Sequence, residues 1–272
     1  MKNLNKSWED FLRPVETDMS IDNARLIRRL EKPKGRVDVV IDTDTYNEID
    51  DQYALSYLIK SDEKLDLKAI YAAPFFNEKS TGPADGMEKS YQEIMNVLTL
   101  LEREDLKQVV YRGSTEYLPS ETEPVISDAA KDLAERAMNY TEEHPLYVVA
   151  IAAITNVASA ILLNPDIKNR IVLIWLGGNA TNWPDNKEFN LYQDVAGARI
   201  VFGCGVPLVQ LPCMGVVSAF TTSGPELEYH LRGKNKLCDY LVNVTTTEAA
   251  ACNGGPVWTR PIWDVTAVAW ML

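Results

Sequence analysis

Histidine is almost missing from this sequence: His144 and His230 are the two in 272 residues. Neither lies in a pattern that supplies a Ser-His-Asp relay or a zinc-binding pair. Cysteine is nearly as sparse. Cys204, Cys213, Cys238 and Cys252 include no C-x-x-C pair, so the plain reading is four reduced, mostly buried thiols. Neither G-x-x-x-x-G-K-[ST] nor G-x-G-x-x-G occurs, which removes the usual cradle for nucleotide phosphates. No apolar run reaches the ~18–20 residues that span a bilayer. The opening MKNLNKSWEDFLRP has no apolar stretch of the kind a secretory signal needs, so a cytoplasmic address and no membrane partner are expected. Lys plus Arg number 27 against 39 Asp plus Glu, for a formal charge of −12, and no Lys/Arg cluster stands out. A phosphate backbone is repelled by such a surface on average, so nucleic acid is not an expected partner.

What remains is a chain that is 46% hydrophobic and long enough to bury a large core. Residues 1–35 read as a polar helical arm ending at Lys32-Pro33-Lys34-Gly35. Residues 36–272 then alternate between β-branched runs and helical spacing. Strands are expected at Val37–Ile41, Leu67–Ala73, Val109–Tyr111, Leu146–Ala152, Ile171–Leu176 and Val206–Leu211. Helices are expected at Gln52–Lys60, Met87–Leu101, Asp128–Tyr140, Asn156–Leu163 and Val195–Phe202, and from Asp264 onward. This alternation predicts an α/β fold: an open, mainly parallel sheet with helices on both faces, binding ligands at the carboxyl ends of its strands. The pattern at Leu272 is apolar and uncapped, which leaves open whether the natural chain continues.

Acidic residues are concentrated in one place. Asp42, Asp44, Glu48, Asp50 and Asp51 fall within ten residues directly after the first expected strand. Carboxylates converging there repel one another unless a cation or raised pKa values relieve them. Calcium suits an all-oxygen cage of this kind; magnesium is an alternative that usually keeps more water. A solvated turn that also begins a helix is the plainer reading of the same residues.

The segment VVIDTDTYNEIDDQYAL resembles the aspartate signature of the inosine-uridine-type nucleoside hydrolase family, D-x-D-P-G-x-D-D. Asp42, Asp44, Asp50 and Asp51 match its aspartates, but five residues, Thr45–Ile49, stand where the family has three including Pro-Gly. Further similarities follow in order: Ala150–Ala160 around Thr155-Asn156, Leu176-Gly177-Gly178-Asn179, Glu188-Phe189-Asn190 through Asp194, and Trp263-Asp264-Val265-Thr266-Ala267.

The resemblance implies a Rossmann-like core and hydrolysis of the N-glycosidic bond of ribonucleosides through a calcium-activated water. It implies that Asp44, Asp51, Asp264 and the Thr155 carbonyl hold Ca2+, with Asp44 also the general base. Asp50, Asn77, Asn182, Glu188 and Asn190 would grip the ribose. Asp42 would orient the loop, and Glu48, without a family counterpart, would be a solvated loop residue. The position before the late aspartate, often His in the family, is Trp263, which resembles the purine-preferring branch, where a Trp stacks on the base; a core aromatic is the plainer reading. A small-molecule nucleoside or another N-riboside is the expected partner, and a homo-oligomer, dimer or tetramer, the expected assembly. The rival from another class is a calcium-dependent ribose- or nucleoside-binding protein without turnover. Asp42-Thr43-Asp44-Thr45 also brushes the nucleophile loop of haloacid-dehalogenase-type phosphatases, but Tyr46 departs from that pattern.

Overall fold

The computed structural model describes residues 23–253 and 257–272. The first 22 residues of the expected arm lie outside them; its described part is a short helix, α1 (Asn23–Arg29). The sheet has strands β1 (Val37–Thr43), β2 (Leu65–Ala72), β3 (Val110–Arg112), β4 (Leu146–Ala150), β5 (Ile171–Leu176) and β6 (Leu208–Leu211), all paired in parallel. Their order is β3-β2-β1-β4-β5-β6. The chain works outward from β1 to one edge, then returns to the other side of β1 and works outward again. That reversal leaves a crevice at the carboxyl ends of β1 and β4, where ligands bind in sheets of this order.

The strands are apolar on both faces because helices cover both. Val39, Ile41, Tyr147, Val149, Val172 and Ile174 enter one core, while Val40, Leu146, Val148, Leu173 and Trp175 enter the other. Successive side chains of a strand alternate in this way by geometry. The first core is closed by α2 (Asp50–Lys60), α3 (Pro83–Leu100) and the last helix, α10 (Val265–Met271). The second is closed by α4 (Asp128–Arg136), α5 (Thr155–Leu163) and α7 (Val195–Gly203), with a short α6 (Phe189–Gln193) before α7.

Between β6 and α10 the chain builds a smaller layer: strand β7 (Thr221–Ser223), α8 (Gly224–His230), the long α9 (Lys236–Asn253) and strand β8 (Thr259–Pro261), antiparallel to β7. Alternation of apolar residues does not reveal α9, because Val242, Val244, Thr245, Thr246 and Thr247 are poor helix formers. Tertiary bonds hold it instead. The Tyr53 hydroxyl meets Thr245 Oγ1 at 2.8 Å, and Tyr240 Oη donates to Glu93 Oε1 at 2.5 Å.

Two expectations need correction. Cys204, Cys213 and Cys238 are free but half-buried rather than buried; the side chain of Cys252 lies outside the described residues. The cations are also less evenly spread than the composition suggests. Arg25, Arg28, Arg29, Lys32, Lys34 and Arg36, mixed with Glu31, Asp38, Glu142 and Glu143, line an open recess of about 710 Å³ at the amino ends of β1 and β4, beside His144, where Arg25 pairs with Glu142. That is the end of the sheet opposite the carboxylates. Among the described residues, no helix is long and apolar enough to cross a membrane.

Candidate metal and sugar site

Strand β1 delivers Asp42 and Asp44 to the crevice, and a turn over Thr45–Ile49 leads straight into α2, whose first two residues are Asp50 and Asp51. Their carboxylates therefore sit on the positive end of a helix dipole, which favours anions there. The chain then returns from far away. Asp264, which caps α10, donates its backbone N–H to Asp50 Oδ2 at 3.1 Å. One carboxylate oxygen from each of Asp50, Asp51 and Asp264 lies within 4.8 Å of the others, and all three residues are buried. The expected meeting of the β1 loop with the late aspartate is present, with Asp50 inside the tightest group and Asp44 bordering it.

Burial raises every carboxyl of this cluster. It pushes Asp44 and Asp264 well above the usual carboxylate range, with the surrounding aspartates adding to the effect. Asp50 and Asp51 rise to about 7, also through burial first; the Thr43 hydroxyl donated to Asp51 Oδ1 opposes the rise. Asp44 Oδ2 is buried without a hydrogen-bond partner. A set of hard oxygen donors, crowded, dry and partly unpartnered, fits a divalent cation such as calcium.

Asp42 is set apart. It is fully buried, raised to about 7 by that burial, and its Oδ1 accepts from Asn156 Nδ2 at 2.8 Å. Asn156 is the tie of this end of the sheet: its Nδ2 also reaches Ala72 O at 3.3 Å, while its Oδ1 accepts from Ser114 N and Oγ at 2.8 Å each. Gly113 makes this possible, since a Cβ there would lie 2.0 Å from Ala72 O and 2.5 Å from Asn156 Nδ2. Truncation of Asn156 leaves Asp42 and the Ser114 N–H buried without it. Asn156→Ala is therefore expected to lower stability by roughly 2–4 kcal/mol, read as a fall in the urea midpoint; an unchanged midpoint contradicts this role.

The remaining predicted residues are placed as follows. Thr155 opens α5, fully buried, with its hydroxyl donated to Asp194 Oδ2 at 2.6 Å, so its side chain is spent on structure. Asn77 is half-buried and donates from Nδ2 to Asn47 Oδ1 at 2.6 Å, which brings it onto the aspartate loop. Glu188 caps α6: its oxygens accept from Gly178 N, Asn190 N and Leu191 N at 2.8–2.9 Å. A carboxylate offers about four acceptor positions, so about one is left for a ligand. Asn190 is buried, with Nδ2 on Leu176 O at 3.0 Å. Asn182 lies exposed on the loop between β5 and α6 and is not brought into the buried cluster. Trp263 packs half-buried against the first core, and its Nε1 is buried without a partner. His230 is exposed on α8 against Tyr229, and His144 is exposed at the far end of the sheet, so neither reaches the carboxylates.

Glu48 corrects an expectation. It lies in the loop with 43% of its side chain exposed, but its Oε2 is 3.3 Å from Arg260 Nη2, so it is tied by an ion pair to a residue of β8 rather than only solvated. No signal in the sequence near either residue announces this pairing, because 212 positions separate them.

Fold and site together define a doubly wound α/β protein that gathers carboxylates from both ends of its chain at the switch point of the sheet. The sequence profile described as inosine-uridine preferring nucleoside hydrolase matches residues 39–272, and the chain belongs to that family. A pyrimidine-specific ribonucleoside hydrolase, RihA, of Escherichia coli is 29% identical over 184 residues, covering 59% of this chain and 55% of the relative. The chain thus spans about half the length of the curated relatives it matches. The plant nucleoside hydrolase PpNRh1 superposes with a TM-score of 0.67 at 23% identity, covering 88% of this chain and 79% of that one. A purine-preferring ribonucleoside hydrolase from Gardnerella vaginalis gives 0.64 at 20% identity, over 85% and 78% of the two chains. At these identities the superpositions establish the shared fold.

Proposed function

We propose that this protein hydrolyses the N-glycosidic bond of ribonucleosides, releasing ribose and free base, with Ca2+ at the carboxylate cluster. The observation that carries the reading is the contact of Asp264 with Asp50: buried acidic groups 214 positions apart converge where a doubly wound sheet binds ligands. Family membership supports the same chemistry.

In this reading Asp44, Asp51, Asp264 and the Thr155 carbonyl hold the ion, with Asp50 close enough to share it. When bound, the ion would neutralise the cluster, engage ribose hydroxyls and lower the pKa of a water it holds. Asp44, with one buried oxygen unpartnered, accepts the proton of the attacking water. Asp50, Asn77 and Asn190 hydrogen-bond the ribose; Glu188 contributes its remaining acceptor position, and Asn182 is assigned to the sugar by the family resemblance. The transition state carries positive charge on the ring, which the surrounding carboxylates stabilise. No histidine stands ready to protonate the base, so Trp263 stacking on a purine is the assistance this reading assigns to departure. A dimer or tetramer in the cytoplasm, and an arm of residues 1–35 as a unit apart, its first 22 residues outside the described ones, belong to the same proposal.

Reducing-sugar release from a panel of purine, pyrimidine and other N-ribosides, with calcium present, tests it. Ribose from at least one nucleoside is expected. Thermal protection by nucleosides with no ribose released from any would replace the hydrolase by a binding protein. Trp263→Ala is expected to lower kcat/KM for inosine about tenfold more than for uridine, a ratio insensitive to the fraction of folded protein. An equal loss on both removes the stacking role.

A further inference from the structure

The turn at Thr45–Ile49 is two residues longer than the family pattern and lacks its Pro-Gly, so contacts rather than local stiffness must hold it. Side chains from two distant segments do so, bridged by a third. Asn47 accepts from Asn77 on its side chain and, on its carbonyl, from Lys79 Nζ at 2.7 Å. Lys79 also pairs with Glu248 Oε1 of α9, and Glu248 Oε2 lies 3.1 Å from Arg260 Nη2. Arg260 in turn pairs with Glu48. The four charges alternate: Lys79, Glu248, Arg260, Glu48. Isolated surface pairs contribute little. Here the Arg260 side chain is only 12% exposed and Glu248 25%, against 32% for Lys79 and 43% for Glu48, and each of the two cations holds two chain segments at once. Four residues beyond Arg260, the Asp264 N–H binds Asp50. The segment 260–264 therefore grips the aspartate loop on either side of Ile49.

We propose that Lys79, Glu248 and Arg260 form an ionic clamp that positions the lengthened loop, so that Asp50 is held toward the sugar. They are positioning residues acting through Asn47 and Glu48. The role assigned to Asp50 rests on the reading given under the proposed function; the clamp itself rests on the ion pairs. Glu48 and Glu248 meet the same Arg260 nitrogen, Nη2, at 3.3 and 3.1 Å, so one cationic group joins the loop to α9.

Hydrogen exchange and steady-state kinetics on the whole chain with calcium test the two parts separately. In Arg260→Met, amides of residues 45–51 are expected to exchange at least about tenfold faster while those of β1 and β4 stay protected. KM for the best nucleoside is expected to rise about tenfold, with kcat changed less. Arg260→Lys recovers part of both effects, and Glu48→Gln adds little to Arg260→Met because the pair is already broken. Unchanged exchange at 45–51 overturns the clamp. Faster exchange there with unchanged KM overturns its link to the sugar. A wild-type protein that releases ribose from no nucleoside counts against the hydrolase reading, and the exchange result still decides on the clamp.

Discussion

Asp44→Asn is expected to reduce turnover by about 10²–10⁴-fold, the span that a positioned general base contributes, while the metal-free protein becomes no less stable. Both halves follow from the same crowding. Asp44 is buried beside Asp50 and Asp51, and its charge is raised in energy by burial and then by theirs. Asparagine keeps the shape and removes the charge, which eases the repulsion in the empty cluster. A mutation that damaged the fold would lower kcat and the urea midpoint together. The distinguishing outcome is lost turnover with a midpoint held or raised; wild-type turnover in this variant refutes the role of Asp44.

The second large effect is on stability against pH. Asp42, Asp50 and Asp51 rise to about 7 in the folded protein, from a normal value of 3.8, chiefly through burial. Their folded forms therefore bind protons that the unfolded chain has already released between about pH 4 and 7. Stability from these groups is fully present below their unfolded pKa and is lost as pH climbs through 7. Chelator-treated protein is expected to melt at lower temperature at pH 8 than at pH 5.5. Calcium binds the deprotonated cluster, so it should raise the melting temperature more at pH 8 than at pH 5.5. A chelated protein whose melting temperature climbs steadily from pH 5.5 to 8, with no response to calcium, is incompatible with a buried carboxylate cage.

The sheet was readable because its strands obey a single constraint. Buried on both faces, runs such as Ile171–Leu176 and Leu146–Ala150 have to be continuously apolar, and they stand out without any partner being known. The acidic loop was readable for the opposite reason, since so many carboxylates after a buried strand have no cheap explanation. Reading α2 as starting at Gln52 left Asp50 and Asp51 in the loop, whereas they form its first turn, where the dipole accepts them. The smaller layer was not legible. The β-branched stretch of α9 argues locally against a helix, and only contacts with Tyr53 and Glu93 decide otherwise. Arg260, Lys79 and Glu248 carry no motif; their meaning comes from being brought together across the fold. Asn156 stood inside a recognised segment, but its bonds to Asp42 and Ser114 became visible only once β1, β3 and α5 were placed.

Calorimetric titration of calcium into chelator-treated protein at pH 8, for the wild type and Asp264→Asn, bears most directly on the convergence of the two chain ends at one ion. Saturable uptake of a single ion per chain is expected in the wild type, with affinity weakened at least about tenfold in the variant. Equal affinity in both proteins, or no saturable uptake by the wild type, contradicts it.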